Sequence, residues 1–494
     1  MTASGLTLQL GIVVGYLVLA LLIGVAAYRL TDRTAEDYYL ASRTFGTVVL
    51  LFTTFATLLS AFTFFAGPNT AYREGPEWIL VMGVMDGVLF AVLWYLVGYK
   101  QWLIGRERGY LTLGEMLGDR FGSPGLRGLV AAISLFWLFP YVMLQQMGAG
   151  TALAALTDGA VPYWAGAGLI TLFMILYVVL AGMRGVAWTD TLQGAFMLGM
   201  VWLATAWILL AVGGPAAATR ELAATQPGFL ALGGDYYTPA FVITQAVSIA
   251  FGVAMFPQVN QRFFVARSKT VLKRTFALWP VLVLALFVPA FMLGAWARGL
   301  GIEAAEGANV LPLLLAEYTP AWFAALVIAG AVAAMMSSSD SMLLSGSAYF
   351  TRDLYRPFVD PEASERREDL LGRVGVVVFA VLAFFASLGR PGTLLEVGAT
   401  AFGGFAQLAL PVIVALYWTG TTRAGITAGI ATSQAFYLAS VFLSALPMAY
   451  GGWGASLVGM ALGLVLTVGV SRFTAPAGGE ETAVCFDLPG AERG

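Results

Sequence analysis

Four serines and an aspartate occupy positions 337 to 341, directly after an apolar run that begins at Ala329. Their hydroxyl and carboxylate oxygens are the ligands that hard cations prefer. An acid at membrane depth costs roughly a few kcal/mol and usually faces a cavity, pairs with another group or marks a transport path. The segment therefore indicates an ion or solute site within a hydrophobic helix.

Enzymatic chemistry finds little support in the remaining residues. The chain has no histidine, and its single cysteine, Cys485, falls in the polar C-terminal stretch. Disulfides and cysteine metal sites are therefore excluded, and the serines have only Asp340 nearby, without the histidine base of a common nucleophilic site. We expect a protein that is not an enzyme and has no organic cofactor.

Composition places the chain in the lipid bilayer. It has 494 residues, of which 59% are hydrophobic and 11% charged, with a mean hydropathy of +0.82. Such a chain has more apolar surface than a soluble core can bury, so it is predicted to be an all-α, multi-pass membrane protein. Its formal net charge of -2 gives no sign of a nucleic-acid partner, and no obligatory protein partner is evident.

Thirteen apolar runs are long enough to cross roughly 30 Å of hydrocarbon. The predicted spans are 7–28, 46–72, 77–99, 125–155, 162–182, 189–213, 238–262, 274–298, 319–347, 372–389, 393–418, 424–446 and 451–471. The first run lacks a basic leader and a cleavage site, so it is predicted to be a retained helix and not a signal peptide. With these spans, 22 of the 26 basic residues fall in alternate loops on one side. That asymmetry predicts a cell-membrane protein with its N-terminus outside and its C-terminus in the cytoplasm.

Two spans contain a proline and glycine interruption at a matching depth, at Pro68 and Pro257, which predicts broken helices. Each broken span is the first of five consecutive spans, as in transporters that are built from two inverted repeats. The predicted regions are 1–45 (extra helix and cytoplasmic loop), 46–213 (first repeat), 214–237 (extracellular connector), 238–418 (second repeat), 419–473 (two additional helices) and 474–494 (cytoplasmic tail).

Several motifs, in this order along nearly the whole chain, resemble the sodium:solute symporter family. They are Glu36 to Arg43, the span that contains Ser60, Gly185 to Gln193, Met336 to Leu344 and Thr351 to Tyr355. The resemblance implies the five-plus-five inverted-repeat fold of the leucine transporter, with the first and sixth core helices broken.

The resemblance also implies a sodium ion between the second and ninth spans. Its ligands would be the backbone carbonyls of Ala56, Leu59 and Ala334 and the hydroxyls of Ser337 and Ser338. Carbonyls freed by a helix break and two adjacent hydroxyls suit a hard monovalent cation without a fixed charge.

Some family members bind a second sodium ion nearer the cytoplasm. Here Asp190, Ser337, Asp340 and Ser341 would hold it. A structural alternative is that Asp190 only pairs with Arg184 or with a helix N-terminus.

The family's solute lies mid-membrane against the broken helices. Carried over by position, the solute-binding residues would be Ser60, Phe62, Thr63, Met82, Asp86, Tyr141, Gln145, Val253 and Pro257. Asp86 lies well inside an apolar helix, where it either contacts the solute or is a structural acid paired with a buried polar group.

Leu58, Ile249 and Val253 depart from the proline-transporting branch, whereas the Ser-x-Asp-Ser arrangement around Asp340 is more similar to the pantothenate and organic-acid branches. The expected function is sodium-coupled symport into the cell, by alternating access, of a small organic solute such as pantothenate or a monocarboxylate. A proton-coupled transporter of the same fold and a transporter-like solute sensor are the alternatives.

Overall fold

The computed structural model describes residues 3–28, 39–305, 307–475 and Cys485. The predicted cytoplasmic loop that contains Glu36, and most of the predicted tail 474–494, lie outside these residues. The described part is almost wholly helical, as expected where no water can satisfy an open backbone.

The helices are numbered here in chain order. They are α1 (Ala3–Tyr28), α2 (Thr47–Leu58), α3 (Phe62–Glu74), α4 (Ile79–Arg108), α5 (Leu113–Arg120), α6 (Pro124–Leu156), α7 (Tyr163–Leu180), α8 (Gly185–Val212), α9 (Pro215–Thr225), α10 (Pro239–Ala254), α11 (Pro257–Phe264), α12 (Lys269–Gly299), α13 (Val310–Tyr318), α14 (Ala321–Phe358), α15 (Arg366–Leu388), α16 (Leu394–Tyr417), α17 (Arg423–Val441) and α18 (Ala455–Arg472). Two short strands, β1 (Ala449–Tyr450) and β2 (Trp453–Gly454), form a hairpin between α17 and α18.

Within the described residues, ten helices are long and apolar enough to cross a membrane, and two bent pairs raise the number to twelve. The predicted span 424–446 corresponds to α17, a helix of 19 residues. It is not among these ten helices, and its polar residues include Ser433 and Gln434, which bond to the α16 backbone. The predicted all-α, multi-pass fold is confirmed.

Both broken helices are present. The axes of α2 and α3 are bent by 64°, and those of α10 and α11 by 53°. The second break comes directly before Pro257, as predicted. The first does not lie at Pro68: the α-helix ends at Leu58, ten residues earlier.

Ser60 explains where the first break lies. Leu59 is extended (φ -77°, ψ 123°), and the Ser60 hydroxyl accepts a hydrogen bond from the Phe62 amide at 3.2 Å. The serine thus caps the second half of the helix. A π-helical turn, Phe62–Ala66, precedes Pro68; it changes the hydrogen-bond register there and accommodates the ring without a second break.

Helix α14 is the most enclosed of the spans, with 83% of its most apolar window buried. It packs against α6, α7, α8 and α1. Residues 329 to 334, none larger than valine, are all buried, and small side chains allow neighbouring backbones to approach closely. This packing holds the serine cluster in the centre of the protein.

Ion pairs fix helices together on the predicted cytoplasmic side. Arg127 of α6 lies 2.7 Å from Asp353 of α14 and 3.1 Å from Glu115 of α5. Near this face, Arg43 donates to the backbone carbonyls of Phe264 and Tyr110. The inner ends of both broken helices are therefore tied to neighbouring segments.

Candidate functional site

The serine cluster of α14 contacts the first helix break directly. The Ser338 hydroxyl donates to the carbonyl of Leu59 at 2.6 Å and to that of Thr57 at 2.9 Å. Both carbonyls belong to the end of α2, and Ser338 is fully buried. The structure therefore brings two of the predicted ligands of the first sodium ion, Leu59 and Ser338, into contact.

The other predicted ligands of this ion are distributed around that contact. Ala334 lies one turn before Ser338 on α14, and Ala56 lies in the last turn of α2; both are fully buried. The Ser337 hydroxyl, however, donates to Oδ1 of Asp190 at 2.5 Å. Ser337 thus bonds to the predicted second ion site, whereas Ser338 bonds to the first.

Asp190 of α8 is the centre of a second polar cluster. Besides Ser337, it accepts a hydrogen bond from Thr53 at 2.6 Å, and its Oδ2 lies 3.1 Å from Nη2 of Arg262. Among the described side chains, the ion-pair partner of Asp190 is thus Arg262 of α11; the side chain of Arg184, which the structural alternative named, lies outside the described residues. Ser341 completes the group, because its hydroxyl accepts from Arg262 at 2.5 Å.

Asp340 makes no hydrogen bond to this group within the described part of the chain. Its Oδ1 is buried and has no partner among the described residues. It lies within electrostatic range of Asp190 itself, of Tyr16 of α1 and of Tyr177 of α7. Of the four residues predicted for the second ion, the structure therefore joins Asp190, Ser337 and Ser341 by hydrogen bonds and places Asp340 near them without one.

Four of the predicted solute-binding residues meet at the first break. The hydroxyls of Ser60 and Tyr141 are 3.0 Å apart. Oε1 of Gln145 accepts from the amide of Ala61 at 2.8 Å, so one turn of α6 holds the unwound segment. Phe62 follows on α3, where its ring lies 5.0 Å from that of Phe402.

Aromatic rings connect this first break to the second. The Tyr141 ring lies 5.2 Å from Phe256, which precedes Pro257, and 5.3 Å from Phe402 of α16. Phe256 and Phe402 stack at 5.5 Å. The sequence analysis did not assign either phenylalanine to the site. Phe256 could have been identified because it lies next to the helix-breaking Pro257, whereas nothing in the sequence distinguishes Phe402.

The remaining predicted solute-binding residues are buried but less closely connected. Thr63, Met82 and Val253 are at most 4% exposed. Asp86 on α4 is fully buried, and neither carboxylate oxygen has a hydrogen-bond partner among the described residues. The pairing that the structural alternative for Asp86 requires is therefore not seen in the described part of the chain.

Gln258 and Arg262 are polar residues of α11 that the sequence analysis did not assign to a site. Both are at most 1% exposed. Neither atom of the Gln258 side-chain amide has a partner among the described residues. The signal for both was present, since they fall within the apolar span 238–262, where buried polar side chains require a partner.

A cavity of about 900 Å³ opens on the predicted outer side and reaches down to Ala66 and Met147. These two residues lie about one turn or less from Phe62 and Gln145, so the cavity leads toward the first break. Its charged lining residues are Arg73, Glu74, Arg390 and Glu396. Tyr236, which also lines it, has its pKa raised to about 12 by burial and by nearby Glu74, so its hydroxyl is neutral at physiological pH.

Comparisons with known proteins agree with this geometry. The sequence model of the sodium:solute symporter family matches residues 38–432. The sodium/pantothenate symporter of Escherichia coli strain K12 is 28% identical over 93% of this chain and 95% of that protein. The monocarboxylic acid transporter of Corynebacterium glutamicum is 26% identical over 73% of this chain and 71% of that protein. The solved structure of a substrate-bound, outward-open Na+-coupled sialic acid symporter matches with a TM-score of 0.79 at 22% identity, covering 95% of this chain and 99% of that one.

Proposed function

Because the chain belongs to the sodium:solute symporter family, we propose that it takes up a small organic carboxylate and binds it between the two helix breaks. Sodium-coupled symport is the activity of the chain, which is a membrane transporter and not an enzyme. The observation that carries the proposal is that the two helix breaks meet at Tyr141. Phe256 of the second break packs on the Tyr141 ring, and the Tyr141 hydroxyl lies 3.0 Å from that of Ser60 in the first break.

The similar proteins support a carboxylate as the solute. Pantothenate, monocarboxylic acids and sialic acid, the compounds in their names, all carry this group. A helix N-terminus attracts anions because its first amides are unsatisfied and the helix dipole is positive there. Helix α11 begins at this junction, and Gln258 in its first turn has a buried side-chain amide with no partner among the described residues. Pro257 has no amide hydrogen, and the Val259 and Asn260 amides donate to the Phe256 carbonyl, so the side-chain nitrogen of Gln258 is the donor offered to a carboxylate.

The outer cavity supplies the entry path. Two arginines line it, Arg73 and Arg390. Of the two acids in the same lining, Glu396 is engaged at the start of α16, where its carboxylate accepts from the amide and hydroxyl of Thr393 at 2.8 and 3.0 Å. The charges of the lining balance, so the arginines give an anion contacts along the path without making the whole cavity positive.

The first sodium ion binds, in this proposal, where Ser338 meets the Leu59 carbonyl. An ion there joins α14 to the end of α2, immediately before the segment that holds Ser60. Sodium and solute then stabilise the same arrangement of the break, so each tightens the binding of the other. Alternating access follows when the outer cavity closes and the opposite face opens.

The experiment that tests this proposal is uptake into proteoliposomes. Radiolabelled pantothenate, lactate and proline are offered under an inward gradient of sodium or of choline, at constant pH and with a separate proton gradient. We expect a sodium gradient to drive uptake of a carboxylate. The same compound with an amide in place of the carboxylate should compete with this uptake at least tenfold less well than the acid does. Equal competition by acid and amide would contradict the carboxylate assignment, and uptake that follows only the proton gradient would contradict sodium coupling.

A matched pair of tyrosine variants locates the solute. Tyr141→Phe removes the hydroxyl bonded to Ser60, and we expect the KM for the solute to rise about tenfold, since a hydrogen bond is worth about 1 kcal/mol or somewhat more in a buried site. The control is Tyr349→Phe, because Tyr349 is equally buried but its hydroxyl accepts from the Leu113 amide near the predicted cytoplasmic face. The same rise in both variants would refute the solute position.

A further inference from the structure

Arg262 is a buried cation inside the membrane region of the protein. Its side chain is 1% exposed, although arginine is almost never buried without a partner. Nη2 lies 3.1 Å from Oδ2 of Asp190 and 2.5 Å from the hydroxyl of Ser341, and Nη1 lies 3.4 Å from the sulfur of Met183. The guanidinium is therefore held in a defined position by α8, α14 and the segment that joins α7 to α8.

The oxygens around this guanidinium resemble the ligands of an alkali ion. Asp190 accepts from Ser337 at 2.5 Å and from Thr53 at 2.6 Å, and Thr57 lies 3.0 Å from Ser341. One carboxylate and four hydroxyls thus converge from three helices. Asp190, Ser337 and Ser341 are also three of the four residues that the family resemblance implied for a second sodium ion, the fourth being Asp340. The structure places a positive side chain on the same carboxylate.

We propose that Arg262 is a tethered cation that competes with a second sodium ion for Asp190. Sodium bound among these oxygens would lie within a few ångströms of the guanidinium, where two positive charges repel strongly because little water screens them. The Asp190 carboxylate contacts the guanidinium and can neutralise only one of the two cations, and Asp340, the other buried acid near it, makes no hydrogen bond to this group among the described residues. A sodium ion therefore binds at Asp190 only after Arg262 has moved away.

The position of Arg262 in the fold connects this exchange to the transport cycle. It lies on α11, the half-helix that begins at Pro257 beside the proposed solute site. A displacement of α11 would withdraw the guanidinium from Asp190, which belongs to α8 and would remain. Arg262 thus determines when the second site can accept an ion, whereas the first site at Ser338 does not contact it. This inference rests on the sodium-coupled symport described above.

The test is direct binding of radioactive sodium to the purified, full-length protein across a range of sodium concentrations. The wild type is expected to show one tight site per chain. Arg262→Met keeps much of the side-chain volume without the charge, and it should gain a second site at least about tenfold tighter than any second component of the wild type, because close charge pairs couple by that factor or more. Arg262→Lys retains a positive charge and should bind one sodium ion tightly.

The double variant Arg262→Met with Asp190→Asn separates competition from a general change of structure. It lacks both charges and should return to one tight site. Two tight sites in the wild type, or a folded Arg262→Met protein with the sodium isotherm of the wild type, would overturn the inference. If Arg262→Met does not fold, Arg262→Gln, which also lacks the charge and can still bond to Ser341, takes its place in the same measurement with the same expected second site. A wild type that binds no sodium would instead refute the sodium site itself.

Discussion

Ser338→Ala tests the first ion site with one atom. The wild-type hydroxyl lies 2.6 Å from the Leu59 carbonyl and 2.9 Å from the Thr57 carbonyl. The substitution removes one oxygen ligand from the proposed site and leaves two buried carbonyls without this donor. Ser338 is fully buried, so water does not reach the position freely to replace the hydroxyl.

The size of the effect follows from these contacts. A hydrogen-bonding group that contacts a charge contributes about 1.5–3 kcal/mol. If the bound sodium ion loses this contribution, the sodium concentration for half-maximal uptake rises by about 10- to 150-fold. The loss of a donor for the Leu59 and Thr57 carbonyls adds a destabilisation of about 1–3 kcal/mol, which appears as a lower melting temperature in both sodium and choline.

The neighbouring serine supplies the control. The Ser339 hydroxyl donates to Met335 of its own helix at 2.7 Å, and it is as buried as Ser338. Ser339→Ala should therefore leave the sodium dependence of uptake within about twofold of the wild type, since it removes only a local bond. Sodium titrations of initial uptake rates, and of melting temperature, measure both variants. The same sodium dependence in Ser338→Ala and Ser339→Ala would refute the site assignment.

Three further predictions concern other parts of the chain. Asp86→Asn should weaken solute uptake at least severalfold and leave the melting temperature unchanged or higher, because it removes an unpartnered buried acid; a lower melting temperature with an unchanged KM would make Asp86 structural. Gly252→Ala should destabilise the protein by about 1–3 kcal/mol, since its Cβ would lie within 2.3 Å of the Phe402 carbonyl, whereas Gly199→Ala meets nothing within 4 Å and should be neutral in the same thermal unfolding assay. Burial raises the pKa of the Cys485 thiol to about 11, so maleimide labelling at pH 7 should be slow in the folded protein and should accelerate with rising pH or on denaturation; rapid labelling of the native protein at pH 7 would contradict that burial.

Hydrophobic length and charge asymmetry were sufficient to predict the all-helical fold, because a bilayer permits few other structures. The depth of the first break was not predicted correctly. Proline marks a place where an α-helix is weakened, but the π-helical turn before Pro68 accommodates the ring, and the capping hydroxyl of Ser60 fixes the break eight residues earlier. A capping serine inside an apolar run cannot be distinguished in the sequence from one that bonds to its own helix.

Side-chain direction limits what the sequence reveals about the site. Ser337 and Ser338 are adjacent and chemically identical, yet they turn about 100° apart on the helix and bond to different clusters. Asp340 was grouped with Asp190, but no hydrogen bond joins the two among the described residues. Arg262 falls at the end of a predicted span and is one of the 22 basic residues that the charge count places with the cytoplasmic loops. Its burial depends on α8 and α14, which are distant from it in the sequence.

Helix α1, which precedes the two repeats, shields the Asp190 cluster. Tyr16 accepts a hydrogen bond from Gln193 at 2.6 Å and stacks on Phe196 at 5.7 Å, one to two turns along α8 from Asp190. The outer face of α1, in contrast, exposes Leu19 and Leu22, as lipid-facing residues do. Deletion of α1 would bring hydrocarbon close to a charged pair. A minimal transporter trimmed to the ten repeat helices would therefore lose the insulation of its ion path.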